Sequence, residues 1–546
     1  MVDILRTGLS GLVASQRALA TTSHNIANAN TPGYSRQRAE LTTNRAEFAG
    51  GAGRSMYIGT GVNVQSVTRV YDDFLTQQVR NHGTQVGQAE TMSTWISQLD
   101  GVVGDSDTGL APALKQFFGA VNDVANSPAS LPARQALLGQ ANTLAARFQE
   151  VDGQMNALRA GVNDSVRATV AEVNALAGNI AKLNGSIAMT QGQGGASADL
   201  LDQRNQLVAD LAQRVPVSTV AQDDGTLSVF VGKGQSLVLG AEARVLETAP
   251  ATDPRQLDIR FQGSPASVND SLSGGRVGGL LDFQKKVLDP AQNQLGLMAV
   301  GLTETFNAQH GQGVDLNGAA GGVFFTPFAA KAMPDPDNTG SGAATVTLTP
   351  GGVSALQPSD YEVSYNGAGY SVRRLSDDAE ISTGAGPTLS GVDGLEITLT
   401  GAPAAGDRFL VQLTGGAAGN LQVKITDPRQ FAAADAAGGV GNNANALKLA
   451  GLQTDKALLN GSSHLQDLQG RMIAKVGIAG SAANQALDAQ TALLDQATQA
   501  RDSFSGVNLD EEAANLMRYQ QSYAAAAKVV QIGDSIIQTL LDAVRR

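Results

Sequence analysis

The chain carries four histidines, His24, His82, His310 and His464, and they are scattered. None sits in an HExxH helix or a comparable spacing that would present two imidazoles to one zinc ion, so they read as packing or surface residues. Cysteine is absent. That removes disulfides, thiolate metal centres, iron–sulfur clusters and cysteine nucleophiles. Asp335, Asp337 and Gly340 in DPDNTG echo a calcium loop. The position that must supply a bidentate glutamate is Val346, which leaves a turn. GQGGAS at 192–197 follows a helical pattern instead of a strand, so it reads as a hinge and not a phosphate cradle. There is no GxSxG and no Walker sequence. Asp510, Glu511 and Glu512 are adjacent carboxylates, but at a helix start their simplest use is to complement the dipole. The sequence thus predicts no catalytic residue, no cofactor and no metal site.

The elements that carry these residues follow from composition and period. The chain has 546 residues, too many for one core, and 42% of them are apolar, enough to bury several. Charged residues are 16%, below the usual ~25%. The net charge is −12 with no basic block, which disfavours nucleic acid and anionic membrane as partners. The start, MVDILRTGLSGLVASQRALA, is interrupted by Asp3 and Arg6 and does not read as a cleaved secretory signal. No run of 18 or more apolar residues occurs, so no membrane-spanning helix is expected.

Helical periodicity occupies both ends and β-type alternation lies between. After Pro132 the apolar steps alternate four and three almost throughout, through Leu137, Ala141, Leu144, Phe148, Val151, Met155, Leu158 and Val162 and again through Val173, Leu176, Ile180, Leu183 and Ile187, with a stutter near Thr169. A helix from Pro132 to about 190 would reach about 90 Å, a rod and not a globular enzyme core. DLLDQRNQLVADLAQRV is another amphipathic helix. From Pro216 the period switches to two, which predicts hairpins. Residues 277–309 return to helix, with a kink near Asp289-Pro290. Residues 341–425 alternate again between Gly, Pro and Asp turns, which predicts a small sandwich or barrel. Helix resumes near 443, with breaks near Gly461 and Ser505–Gly506. The fold class expected is multidomain α+β: terminal coiled-coil helices plus a long helical bundle, with inserted antiparallel β domains.

The terminal helices answer one another. The first has a seam of Leu5, Leu9, Leu12, Leu19 and Ile26, interrupted by Gln16 and Ser23. The last repeats Leu509, Leu516, Tyr523, Val530, Ile537 and Val544 every seven residues, with Ala513, Gln520, Ala527, Asp534 and Leu541 between. Asn508 can cap it, with Glu511 completing a capping box. A narrow apolar stripe cannot hold a lone helix together in water. Antiparallel pairing of the two ends is the economical solution. Both stripes are diluted by small and polar residues, so the pair is expected to fray in the monomer and order against other subunits.

The stretch SGLVASQRALATTSHNIANANTPGYSRQ resembles the N-terminal signature of the rod, hook and hook-associated family of bacterial flagellar axial proteins, through Asn25, Ile26, Ala27, Asn28, Thr31, Pro32, Gly33 and Tyr34. GVNLDEEAANLMRYQQSYAAAAKVVQIGDSIIQTLL resembles its C-terminal signature, through Val507, Leu509, Glu512, Leu516, Tyr519, Gln520 and Tyr523. DLLDQRNQLVADL, GGRVGGLLDFQKKVLDPAQNQLGLMA and FNAQHGQGVDLNG place the resemblance in the hook–filament junction branch. The resemblance implies a secreted structural protein, exported unprocessed by the flagellar type III route and assembled into a ring layer. Its implied partners are further copies of itself, the hook protein, the second junction protein on the filament side, and an export chaperone at the C-terminal helix. No nucleic acid and no membrane partner is implied. The seam residues Leu5, Leu9, Leu12, Leu19, Ile26, Leu509, Leu516, Tyr523, Val530 and Ile537 are then the expected subunit interface.

The expected division is 1–60 with 507–546 as a terminal axial core, and 61–215 with 276–330 and 430–506 as a helix bundle. Residues 216–275 are expected as a β-hairpin insertion and 335–428 as an outer β domain. Two other classes stay open to the residues alone. A secreted translocator or adhesin with coiled-coil ends would need more apolar helices. A cell-wall hydrolase fused to an axial module would need a carboxylate or Cys/His pair in a cleft.

Overall fold

A computed structural model describes residues 2–48, 57–104, 109–191 and 197–545. The hinge expected at GQGGAS therefore lies outside the described residues, apart from Ser197, as does part of the break expected between Gly101 and Gly109. The helices are α1 (Val2–Asn28), α2 (Asp73–Val103), α3 (Leu110–Asn126), α4 (Leu131–Gln191), α5 (Ala198–Arg214), α6 (Gly275–Phe283), α7 (Asp289–His310), α8 (Ala444–Gly451), α9 (Leu465–Ser505) and α10 (Leu509–Val544). Together with antiparallel sheets they give the α+β class expected. The chain falls into two compact units, residues 1–86, 173–244 and 489–546, and residues 87–172 and 245–488.

In the first unit, α1 pairs with α10, and a ribbon of strands 37–43 and 62–69 lies against α1. Residues 217–243 form a four-stranded antiparallel sheet. Its Leu227, Val229, Val231, Leu237 and Val238 are buried, so these strands bury consecutive as well as alternate positions. The long heptad run appears as predicted in α4, a single helix of 61 residues. In this unit its Val173, Ala177, Ile180 and Ile187 are buried.

In the second unit, Leu137, Leu144, Phe148, Met155 and Val162 of α4 are buried. Beside them α7 is buried on nearly every face, including Gln292, Asn293 and Gln294. Phe117, Phe306, Phe324 and Phe325 pack with ring centroids 4.8 to 6.4 Å apart, in tilted and edge-on arrangements. The kink expected at Asp289-Pro290 takes the form of a π-helical turn at Gln284–Leu288, just before the proline. Residues 331–412 form a β module of two antiparallel sheets. One runs in the strand order 331–334, 408–412, 361–365, 370–374, 379–384, and the other in the order 343–348, 395–400, 388–392. Tyr361, Val363, Val372, Leu395, Ile397, Phe409 and Val411 fill it. Strands 246–250 and 257–261 also belong to this unit, so the stretch 216–275 contributes strands to both units.

Candidate assembly site: the clasp between the chain termini

The two terminal helices run antiparallel in one register. A Cβ placed on Gly533 would lie 2.7 Å from Leu5 Cδ2, and one on Gly8 would lie 3.0 Å from Val530 Cγ2 and 3.1 Å from Val529 Cγ1. A Cβ on Gly11 would lie 3.6 Å from Ala526 Cβ. At the far end Asn25 meets Glu512. The helix axes approach closely because Gly533 makes room for Leu5, Gly8 makes room for Val529 and Val530, and Gly11 faces Ala526.

This register corrects half of each predicted seam. Leu5, Leu12, Leu19, Leu516, Val530 and Ile537 are half-buried, as a packed seam requires. The second row, however, is Gly8, Ser15 and Thr22 on α1, with Glu512, Tyr519, Ala526 and Gly533 on α10. The rows expected were Leu9, Gln16 and Ser23, and Ala513, Gln520, Ala527 and Asp534. They lie one residue further on, and all but the half-buried Ala527 are exposed. Leu9 is 56% exposed and Leu509 is 53% exposed. Ile26 and Tyr523 are also exposed. The reason is steric along α1 and the second half of α10: a heptad needs steps of three as well as four, and the packed positions there, Gly8, Ser15, Thr22, Ala526 and Gly533, are small. A search for large apolar groups passes over them.

At the end of α1 the motif residues form one polar clasp. Asn25, 1% exposed, donates through Nδ2 to Gln37 O at 2.9 Å and to Glu512 Oε2 at 3.2 Å. Its Oδ1 accepts from Tyr34 OH at 2.7 Å and from Gln37 N at 2.9 Å. His24 Nδ1 contacts the same tyrosine hydroxyl at 3.0 Å. Asn28 Nδ2 donates to His24 O, and Thr31 Oγ1 donates to Asn28 Oδ1, closing the turn that holds Pro32. Gly33 sits at φ 77°, the left-handed conformation that favours glycine, and a Cβ there would displace the Gln206 side chain. Burial, followed by the charges of Asp199, Asp202 and Glu512, pushes the Tyr34 phenol well above its ordinary pKa, so it stays a donor.

Glu512 is 2% exposed and is held by Arg36 Nε at 2.7 Å. Asn508 caps α10 as predicted, accepting from Asp510 N and Glu511 N. The capping box is replaced by an ion pair: the Glu511 carboxylate pairs with Arg36 NH1 at 2.7 Å. Gln520 lies exposed on α10, apart from the clasp.

Several clasp residues were not singled out from sequence. Asp202 of α5 accepts from Ser35 N at 2.8 Å, Ser35 Oγ at 2.9 Å and Arg69 NH1 at 2.8 Å. Asp199 accepts from Gln37 Nε2 at 2.7 Å. Arg69 also lies over the Tyr71 ring at 4.1 Å. The signal was present in DLLDQRNQLVADL, where two aspartates three apart share one helix face. A cavity of about 40 Å³ beside Gly33 and Tyr34 is lined by Tyr71, Arg80 and Arg501 and has the scale of bound water. Among the described residues no helix is long and apolar enough to cross a membrane.

Comparisons with known proteins place the chain among flagellar axial proteins. Residues 96–325 match the helical domain of flagellar hook-associated protein FlgK, and 333–413 match the D2-like domain of flagellar hook-associated protein 1. Residues 5–34 match the flagella basal body rod protein family, and 498–543 match the C-terminal family of the basal body rod FlgEFG proteins. The flagellar hook-associated protein 1 of Escherichia coli (strain K12) is 34% identical over 553 residues, covering 99% of this chain and 100% of that one. The Bacillus subtilis (strain 168) protein of the same name is 26% identical over 98% of this chain and 97% of its own. The solved structure of the flagellar hook junction protein FlgK from Burkholderia pseudomallei superposes with a TM-score of 0.73 at 27% identity, over 78% of this chain and all of that one. The chain belongs to the flagellar hook-associated protein 1 family.

Proposed function

We propose that this chain is a structural axial subunit of the bacterial flagellum that forms the junction layer between hook and filament. One observation carries the reading: both terminal signatures close on each other in a single antiparallel pair, latched by Asn25 and Glu512. Full-length likeness to hook-associated proteins supports it.

The finer reading concerns assembly. The terminal pair leaves Leu9, Val13, Ile26, Leu509, Met517, Tyr523, Ile532, Ile536 and Leu540 exposed. An apolar surface of that extent on paired helices suits burial against further copies in a ring. Leu5, Leu12, Leu19, Leu516, Val530 and Ile537 serve the pair itself and its rim. The pair alone is marginal and frays in the solitary chain, because its contacts are small residues and few large side chains are buried. Residues 1–60 with 507–546 then act as the axial core, 61–215 with 276–330 and 430–506 as the stiff helical body, 216–275 as a hairpin insertion and 335–428 as the outward β domain.

The ring mates the hook protein on one side and the second junction protein on the other, and its role is mechanical adaptation without catalysis. Export runs through the flagellar type III route, with a chaperone shielding α10 beforehand. Deletion of the gene followed by electron microscopy tests the assignment. Bare hooks, with filament protein shed into the medium, are expected; normal filaments on hooks would refute it.

A further inference from the structure

Four carboxylates and two guanidinium groups meet where the β module of residues 331–412 joins the helices of the second unit. Asp152 and Arg159 come from α4, Asp253 and Arg255 from the turn between strands 246–250 and 257–261, and Asp289 from the start of α7. Asp360 immediately precedes the central strand 361–365 of the module. Each cation is paired with one carboxylate, while Arg159 Nε and NH1 are buried without a hydrogen-bond partner. Arg255 NH2 pairs with Asp253 Oδ2 at 2.8 Å, and that carboxylate also accepts from the buried Gln412 Nε2 of strand 408–412 at 2.9 Å. Arg159 NH2 pairs with Asp289 Oδ1 at 2.5 Å, and Gln256 Nε2 donates to Asp289 Oδ2 at 3.0 Å. Asp152 is met by Asn156 Nδ2 at 2.9 Å. Asp360 Oδ1 is buried and has no hydrogen-bond partner.

With every group ionised, four negative charges would face two positive ones. Such a cluster relieves itself by holding a proton, on the member with the least compensation. Burial, then the charges of Asp289 and Asp253, raises Asp360 to about 7, against the opposing pull of Arg255 and Arg159. Burial likewise raises Asp152 and Asp289. Burial opposes ionisation of Asp253 too, but the hydrogen bonds and charge of Arg255 outweigh it and hold that group low.

We propose that the seat of the β module is a proton-linked contact: a proton on Asp360 completes the cluster, and its loss to the medium loosens the module from the helices. A carboxyl raised in the folded state holds its proton up to about pH 7, so the stability it contributes is complete below its unfolded pKa of about 3.8 and is lost as pH rises through about 7. The contact is therefore tight in acid and slack in mild alkali.

Hydrogen exchange of the full-length chain, read at strands 331–334 and 408–412 and corrected for intrinsic rates, tests this in wild type and Asp360→Asn. Wild-type exchange should rise about tenfold between pH 5.5 and 8.5. Asp360→Asn should stay flat at the acid-side level, and Glu380→Gln, at an exposed carboxylate of the same module, should keep the wild-type rise. A flat wild-type profile overturns the proposal whether or not the variant folds. So does an Asn variant that retains the rise.

Discussion

Asn25 and Glu512 stand 487 positions apart in the chain and share a buried hydrogen bond of 3.2 Å. One belongs to the turn that ends the first helix and the other to the first turn of the last. Glu512 has two partners that lose their acceptor if it is removed, Asn25 Nδ2 and Arg36 Nε. Glu512→Ala should therefore destabilise the first unit by about 2–3 kcal/mol, read by thermal denaturation. Glu511→Ala, at an exposed pair with the same arginine, should cost under about 1 kcal/mol. Equal losses from the two would show that burial of the latch is not what matters.

Close approach of α1 and α10 makes a second, steric prediction. Gly533→Val places methyl groups where Leu5 already stands, and overpacking of this kind costs about 1–3 kcal/mol. Export-competent cells should assemble less of the variant into flagella, measured by immunoblot of sheared appendages. Gly470→Ala, in α9 with open space around its Cβ, should instead stabilise by about 0.5–1 kcal/mol. A destabilised Gly470→Ala would contradict the account.

The assembly surface is tested by charge. Leu516→Asp together with Tyr523→Asp puts one carboxylate at the half-buried Leu516 and one at the exposed Tyr523 of α10. Soluble chain should remain folded in its second unit while incorporation into flagella is lost, measured by immunoblot of sheared appendages against cell lysate. Wild-type incorporation would remove these residues from the interface.

His310 supplies a pH prediction. Its Nδ1 faces Gly322 O at 2.7 Å and its Nε2 accepts from Ala432 N at 3.0 Å, which fixes the neutral Nδ1–H tautomer. Burial lowers its pKa below the ordinary 6.5. A histidine depressed in the folded state contributes stability that is present above its unfolded pKa and lost as pH falls. Proton NMR of its imidazole should give a midpoint below 6.5, with loss of the Phe306 and Phe324 packing on the acid side. A midpoint at or above 6.5 would contradict the burial argument.

The sequence made the helical ends, the 61-residue helix and the β module readable because each repeats a period over many residues. Asn508 was readable as a cap because capping is local chemistry. The second row of each terminal seam was not, since Gly8, Ser15, Ala526 and Gly533 matter by being small, and smallness carries no apolar signal. Arg36 and Asp202 were missed for another reason. Their partners lie hundreds of residues away, or on a helix whose place in the fold no periodicity gives. Glu511 turned to Arg36 instead of the cap because a full charge at 2.7 Å outweighs a backbone amide already exposed to water.

The antiparallel register of the two ends is the claim on which the assembly account rests, and the absence of cysteine makes it directly measurable. Gly11→Cys and Ala526→Cys would place two Cβ atoms 3.6 Å apart, within disulfide range. The double variant is assembled into flagella, oxidised, and run on a non-reducing gel. The account predicts an intrachain bridge, seen as a faster-migrating monomer that reverts on reduction. A ladder of interchain dimers, or no bridge at all, would contradict it.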